Sequence, residues 1–230
     1  MEEPRPYSRA NPSPRYRELI RLYERMHAKG LPERGLMADE TFKGKSLPRQ
    51  VVEIKELIDR HGAKSLLDYG AGKAYLYWAK QITFPDGQVF DGLMPYWGIE
   101  SIALYDPGYA RFNVLPTGRF DAVISTDVLE HCPEEDIPWI LAELFSYARR
   151  FVFANIACFA AKKSLPNGEN AHATVKPPEW WEAAIVKASK RYPDVAYSFI
   201  LETVGADGLH KTVFDSAQTS VTQTRAAQAS

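Results

Sequence analysis

A chain of 230 residues with 45% hydrophobic residues is long enough for one α/β domain with additions and too short for two comfortable ones. A formal net charge of −1 gives no global attraction to nucleic acid, and two cysteines, Cys132 and Cys158, give neither a disulfide framework nor a zinc spacing. There is no apolar run of about 18 residues to span a membrane, and Met1-Glu2-Glu3-Pro4-Arg5-Pro6 lacks the charged-then-apolar pattern of a signal peptide. A reducing, cytoplasmic setting is expected.

The first dozen residues are rich in Pro, Ser and Asn and read as irregular. A helix is predicted from about Arg15 to Ala28, with Tyr16, Leu19, Ile20, Tyr23 and His27 at helical spacing and Gly30 and Pro32 as its stop. Arg5, Arg9, Arg15, Arg17, Arg21, Arg25, Lys29 and Arg34 make this arm moderately basic. Glu18, Glu24 and Glu33 dilute it, which favours a solvated helix face. Leu36 to Lys45 reads as a connector. A second helix follows Pro48, with Val51, Ile54, Leu57 and Ile58 on one face and Gly62 as its end.

The first strand, Ser65 to Asp68, runs into Tyr69-Gly70-Ala71-Gly72-Lys73-Ala74. Glycine reaches backbone angles other residues avoid and lets a ligand approach the main chain. A strand, an acid, a glycine turn and then a helix form a nucleotide- or nucleoside-binding turn. A dinucleotide fingerprint fails, because Tyr75 stands where its last glycine belongs. A P-loop fails too, with Leu67 and Ala74 at the positions of its first glycine and its hydroxyl residue.

The helix after the turn is expected to continue from Tyr75 to Gln81. Phe84 to Gly98 reads as an inserted loop with an aromatic face of Phe90, Met94, Tyr96 and Trp97. A strand Ile102 to Tyr105 ends at Asp106. The stretch from Asp106 to Phe120 is about half as long as a helix, strand and helix would need. The third strand is therefore expected to be shortened or lost, its remnant at Ala110 to Asn113.

Ala122 to Ser125 is the fourth strand, and Asp127, Glu130 and His131 crowd its end. Ligands in open α/β sheets sit beyond the carboxyl ends of strands, where these groups fall. Pro133 is expected to open a helix with Ile137, Ile140, Leu141, Leu144, Phe145 and Ala148 in one stripe and Arg149 and Arg150 at its C-terminus. Phe151 to Ala157 reads as the fifth strand. A long loop from Phe159 to Lys176 leads to a helix beginning at Pro177-Pro178-Glu179 with Trp180 and Trp181. Val195 to Val204 and Leu209 to Phe214 then flank Gly205-Ala206-Asp207-Gly208, an antiparallel hairpin signal. Residues after Asp215 show little periodicity and are expected to be disordered. The chain thus divides into an N-terminal arm and helical cap (1–47), a main domain (48–215) and a tail (216–230).

Asp68, Gly70 and Gly72, with Ala74 at the place of a usual third glycine, resemble the first motif of the class I S-adenosylmethionine-dependent methyltransferases. Asp127-Val128-Leu129-Glu130-His131 looks like the segment after the fourth strand in many small-molecule members. The resemblance covers roughly residues 48 to 157, with the C-terminal third alike in topology. It implies an α/β fold with a Rossmann-like, mostly parallel sheet and a C-terminal antiparallel hairpin. It also implies S-adenosylmethionine as methyl donor, held by Asp68, the Gly70-Ala71-Gly72 backbone, Asp127, and Asp106 at the ribose hydroxyls. A carboxylate suits the last role as an acceptor with two oxygens.

Methyl transfer from a sulfonium chiefly needs alignment, which supplies on the order of 7–11 kcal/mol, and a base where a hydroxyl is methylated. The candidate catalytic residues are Asp127, His131 and His172. His172 lies in the polar loop after the fifth strand, where acceptor recognition concentrates, and the Trp180-Trp181 pair beside it would wall a ring-shaped substrate or anchor the helix to the core. No metal is expected. Cys132-Pro133 reverses the order found in pyrimidine C5 methyltransferases and reads as a packed thiol. The chemistry expected is methyl transfer to a small-molecule or sugar-type acceptor at oxygen. The alternatives are an RNA or DNA methyltransferase using the basic arm, or a non-catalytic donor-binding protein. Acceptor identity and oligomeric state are not fixed by the sequence.

Overall fold

The computed structural model describes residues 6–42, 44 and 46–217. Its centre is a six-stranded sheet built from β1 (Ser65–Tyr69), β4 (Ser101–Tyr105), β5 (Phe120–Thr126), β6 (Ala148–Ala157), β7 (Ala196–Gly205) and β8 (Gly208–Asp215); β2 (Ile82–Thr83) and β3 (Val89–Phe90) form a separate hairpin. The order is β4-β1-β5-β6-β7-β8, parallel throughout except for the β7–β8 pair. The chain steps outward from β1 to β4 and then returns across β1 to β5. The strand order therefore reverses at β1, which places the ligand crevice of a doubly wound sheet at the carboxyl ends of β1 and β5. This is a Rossmann-like α/β fold with a C-terminal antiparallel hairpin, as expected.

The period-two alternation of the strands divides the core into two layers. Val123, Val152, Ala154 and Ile156 face α5 (Ile137–Tyr147) and α6 (Pro178–Ser189), with Leu141, Leu144, Phe145, Trp181 and Ile185 fully buried. Ala122, Ile124, Phe151 and Phe153 face the other side, against Ile54 and Ile58 of α2 (Val51–His61) and the segment 82–99. Gly62 ends α2 in the left-handed region, its N–H returning to Asp59 and Ile58.

The N-terminal arm is not a loose appendage. Ser13 caps α1 (Pro14–Lys29), its hydroxyl accepting from Tyr16 N–H at 2.9 Å, while its own N–H donates to Asp136 Oδ1 at 3.0 Å. Arg9 Nε donates to Glu143 Oε1 at 2.9 Å and Nη1 to the Tyr105 hydroxyl at 3.0 Å, with the guanidinium 4.7 Å from the Trp139 ring. Residues read as irregular are thus stapled to the sheet, and Tyr16 joins its core.

Several boundaries differ from expectation. The helix after the glycine turn, α3 (Tyr75–Trp78), is a single turn, because Ala79 is extended and Gln81 is left-handed with its N–H held by Asp91 Oδ1 at 3.0 Å. The stretch 84–98 is no open loop. It holds β3 and a short helix α4 (Leu93–Trp97), Phe84 stacks on Tyr96 at 3.8 Å, and buried Trp97 donates from Nε1 to Val51 O at 3.0 Å. The aromatic residues there are core. Two 3-10 turns, Leu129–His131 and Glu134–Asp136, precede α5, which therefore begins at Ile137 and not Pro133. Arg149 and Arg150 belong to β6, not to a helix end; Ala148 already pairs with Phe120, and Arg150 Nε lies 3.6 Å from Asp121. No strand forms between β4 and β5, so β4 is the sheet edge and the third strand is lost. Of the expected tail, Ser216 and Ala217 continue as a helical turn and residues 218–230 lie outside the described residues.

Candidate functional site

The glycine turn leaves β1 at the switch point. Gly70 (φ 93°) and Gly72 (φ 55°) lie in the left-handed region. A Cβ on Gly70 would stand 2.2 Å from Val128 Cγ2, so glycine there brings the turn against the segment that follows β5. The N–H groups of Gly70 and Ala71 both donate to Tyr105 O, at 2.7 and 3.0 Å. Gly72 N–H donates to Asp106 Oδ2 at 2.8 Å, and Gly108 N–H to Asp106 Oδ1 at 2.8 Å. The acid closing β4 is thus clamped over the turn. Burial raises its pKa, opposed by these backbone donors.

Asp68 is buried near the end of β1. Its Oδ2 accepts from the Tyr77 hydroxyl at 2.8 Å, and its Oδ1 has no hydrogen-bond partner. Burial pushes its pKa up to about 7, the Tyr77 hydrogen bond opposes this, and the Asp106 charge adds to it.

A second group gathers beyond β5. Asp127 is exposed in the left-handed region, φ 59°. One donor atom from each of Asp127, His131 and His172 lies within 4.8 Å of the other two, and the two imidazoles meet edge to face at 4.9 Å. His131 Nδ1 is 2.8 Å from Ala171 O and His172 Nδ1 is 2.5 Å from Phe159 O. A carbonyl only accepts, so each Nδ1 carries a proton, and in the neutral form of either ring the lone pair lies on Nε2. Burial lowers the pKa of His131, partly offset by Asp127. Glu130, fully buried, accepts Ala157 N–H at 2.9 Å on Oε1; burial first and the Asp127 charge second hold its carboxyl well above the usual range.

The two groups are joined by the arm. The Tyr23 hydroxyl of α1 is 2.9 Å from His131 Nδ1, and its Cβ lies 2.8 Å from where a Gly108 side chain would start. Phe42 lies over the glycine turn, its carbonyl 3.2 Å from the Cβ position of Gly72, its ring stacked on His27 at 4.3 Å, with Tyr109 on the other His27 contact at 4.8 Å. Burial, with Lys73 second, lowers the His27 pKa to about 4, so this stack holds a neutral imidazole. Three of the four left-handed non-glycine residues among those described, Phe42, Ala74 and Asp127, border this site. Such conformations cost about 1–3 kcal/mol each and concentrate where ligands bind.

Asp106, Gly70, Ala71 and Gly72 therefore fall in one place and Asp127, His131 and His172 in another beside it, as their positions at strand ends imply. The histidines of that second group are 41 positions apart, so no short spacing announced their meeting. Tyr23 and Phe42 were missed as site residues, Tyr23 because its helical spacing reads as core. Glu130 stood beside the strand end in the sequence without a role. Trp181 is fully buried with α6 and anchors it; Trp180 meets Trp181 edge to face at 5.0 Å and is half-buried. Burial pushes the Cys132 thiol up, which suits packing and not attack.

No family model and no curated protein matches the chain. One solved structure, described as a DhpI–SAH complex, is 12% identical, with 88% of this chain and 80% of that one covered and a TM-score of 0.29. That likeness is too distant to carry an argument, and the fold stands on the strand order above. Among the described residues no helix is long and apolar enough to cross a membrane.

Proposed function

We propose that the protein transfers a methyl group from S-adenosylmethionine to a hydroxyl of a small-molecule or sugar-type acceptor. The observation that carries this reading is the Asp106 carboxylate clamped on Gly72 N–H at the switch point, directly beside the Asp127–His131–His172 group. The residue types fit a nucleoside donor. A half-buried carboxylate that accepts two bonds at once and keeps further lone pairs suits vicinal hydroxyls, left-handed glycines allow close approach, and Asp68 Oδ1 is an orphaned buried acceptor. Asp106, Asp68 and the Gly70–Gly72 backbone would hold the donor, whose sulfonium supplies the activated methyl group. Asp127, His131 and His172 would face the acceptor and manage its proton.

Phe42 lies over the turn and Tyr23 against Gly108, so a donor entering there would displace the arm. Arg9 is engaged by Glu143, Arg15 by Glu18 and Glu169, and Arg34 by the Ser164 carbonyl. These contacts draw three of the arm's cations into the fold, which supports a small acceptor over a nucleic acid. Calorimetry with S-adenosylhomocysteine on the wild type, Gly72→Val and Asp106→Ala tests the donor site. Binding by the wild type that both substitutions abolish is expected; no binding, or equal binding by all three, would overturn the reading.

A further inference from the structure

We propose that Asp127, His131 and His172 form a binding site for a divalent transition-metal cation, with Glu130 available as a further oxygen donor. The donor atoms are already gathered within 4.8 Å. Ligands about 2.0–2.2 Å from a tetrahedral metal lie roughly 3.3–3.6 Å apart, so loading needs the three groups to close by about an ångström, within reach of small side-chain rotations.

The histidine tautomers also suit a cation. Metal-bound imidazoles characteristically donate the other ring N–H to a carbonyl or carboxylate, which fixes the ring and leaves one lone pair for the cation. Both rings have this arrangement, His131 through Ala171 O and His172 through Phe159 O. The two anchoring carbonyls flank the 159–172 loop at either end, and Tyr23 adds a contact to Ala171 O at 3.4 Å. The loop is thus shaped around ring orientations that a merely packed histidine pair does not require.

Glu130 supplies the second, independent observation. It is fully buried, its Oε2 has no hydrogen-bond partner, and the strongest charge acting on it is that of Asp127. A buried carboxylate oxygen left unsatisfied beside a second carboxylate is unfavourable unless a cation or a proton joins them. Two imidazole nitrogens with one or two carboxylates suit Zn²⁺, Mn²⁺, Fe²⁺ or Co²⁺, whereas Mg²⁺ and Ca²⁺ prefer all-oxygen sets. Asp127 is exposed, so the site has an open side from which an oxygen of a bound molecule would complete the coordination. In the methyl-transfer reading, on which this last role rests, such a cation would hold the acceptor oxygen and, in place of the imidazole lone pairs it occupies, ease loss of the acceptor's proton to water. The cation site itself does not depend on that reading.

The test uses the full chain, freed of metal by a chelator and dialysed, with no methyl donor present. Co²⁺ is titrated and its visible d–d absorption followed, with Zn²⁺ as competitor and Mg²⁺ as comparison. One equivalent of Co²⁺ is expected to bind, to be displaced by Zn²⁺ and to be ignored by Mg²⁺. His131→Ala and His172→Ala should each weaken binding by more than the roughly 10–100-fold typical of losing an outer-shell partner. His210→Ala, a paired residue on β8, should leave it unchanged. Because His131→Ala also removes the Tyr23 contact, Asp127→Asn serves as the variant that keeps the fold, checked by circular dichroism, and should bind at least about tenfold more weakly. No Co²⁺ spectrum in the wild type, or a spectrum that survives in both His172→Ala and Asp127→Asn, would overturn the proposal. Absent cation binding with intact S-adenosylhomocysteine binding would sink this inference alone; the reverse would sink the donor assignment alone.

Discussion

Replacing Asp68 by Asn should stabilise the protein at neutral pH and leave it unchanged in acid. In the folded state burial pushes the Asp68 carboxyl up to about 7 from its ordinary 3.8, against the hydrogen bond from Tyr77. An unfolded chain releases this proton near 3.8, whereas the folded chain retains it to about 7. Between those values the unfolded state binds fewer protons, so stability falls as pH rises, by up to about 1.4 kcal/mol per unit. Across a gap of about three units the accumulated cost approaches 4 kcal/mol, fully present above pH 7 and absent below the unfolded value. Asparagine keeps the shape and the acceptor for Tyr77 and has nothing to ionise. The assay is urea unfolding of both proteins by tryptophan fluorescence, from about pH 4.5 to 8, taking the difference so that every other titrating group cancels. The variant's advantage should grow with pH and level off near 7.5. A difference that is flat with pH, or an Asp68→Asn variant less stable than wild type at pH 8, would show that Asp68 is ionised and held as an anion, and the argument from its burial would fail.

Two further outcomes follow from the arm. Arg9→Ala leaves Glu143 on α5 with only the Tyr69 hydroxyl, and since the pair is partly solvated (30% and 14% exposed side chains) the loss should be roughly 1–3 kcal/mol. That corresponds to about 3–10 °C in thermal midpoint for a chain of this size; a shift under about 1 °C would mean the arm is held by α1 packing alone. Phe42→Gly relieves a left-handed backbone and removes the ring contacts to His27 and Tyr23. With an aromatic pair worth about 0.5–1.5 kcal/mol, the apparent association rate of S-adenosylhomocysteine should rise about two- to tenfold. Stopped-flow rates equal to wild type would show that Phe42 does not control entry.

Local physics alone fixed much of this protein. The alternation of Val123 and Ile124, or Val152 and Phe153, assigns each residue to one layer whatever the loops do, because strand side chains alternate by geometry. The α5 stripe and the left-handed stop at Gly62 are set by periodicity and by the absence of a side chain. The acid–glycine turn after β1 and the polar ends of β4 and β5 were legible as places in the chain, so the positions of Asp106, Gly72, Asp127 and His131 at strand ends could be read residue by residue. What the sequence could not show is anything that depends on long closure. Arg9 reads as one more solvated cation until Glu143 and Tyr105 arrive beside it. Tyr23 reads as core until the loop carrying Ala171 brings a carbonyl and an imidazole to its hydroxyl. The pairing of His131 with His172 exists only because β6 runs parallel to β5, which delivers the loop after β6 to the same sheet edge as the turn after β5. Local angles and periods are encoded in neighbours along the chain; a site assembled from three separate segments is encoded in strand order, which only the folded sheet decides.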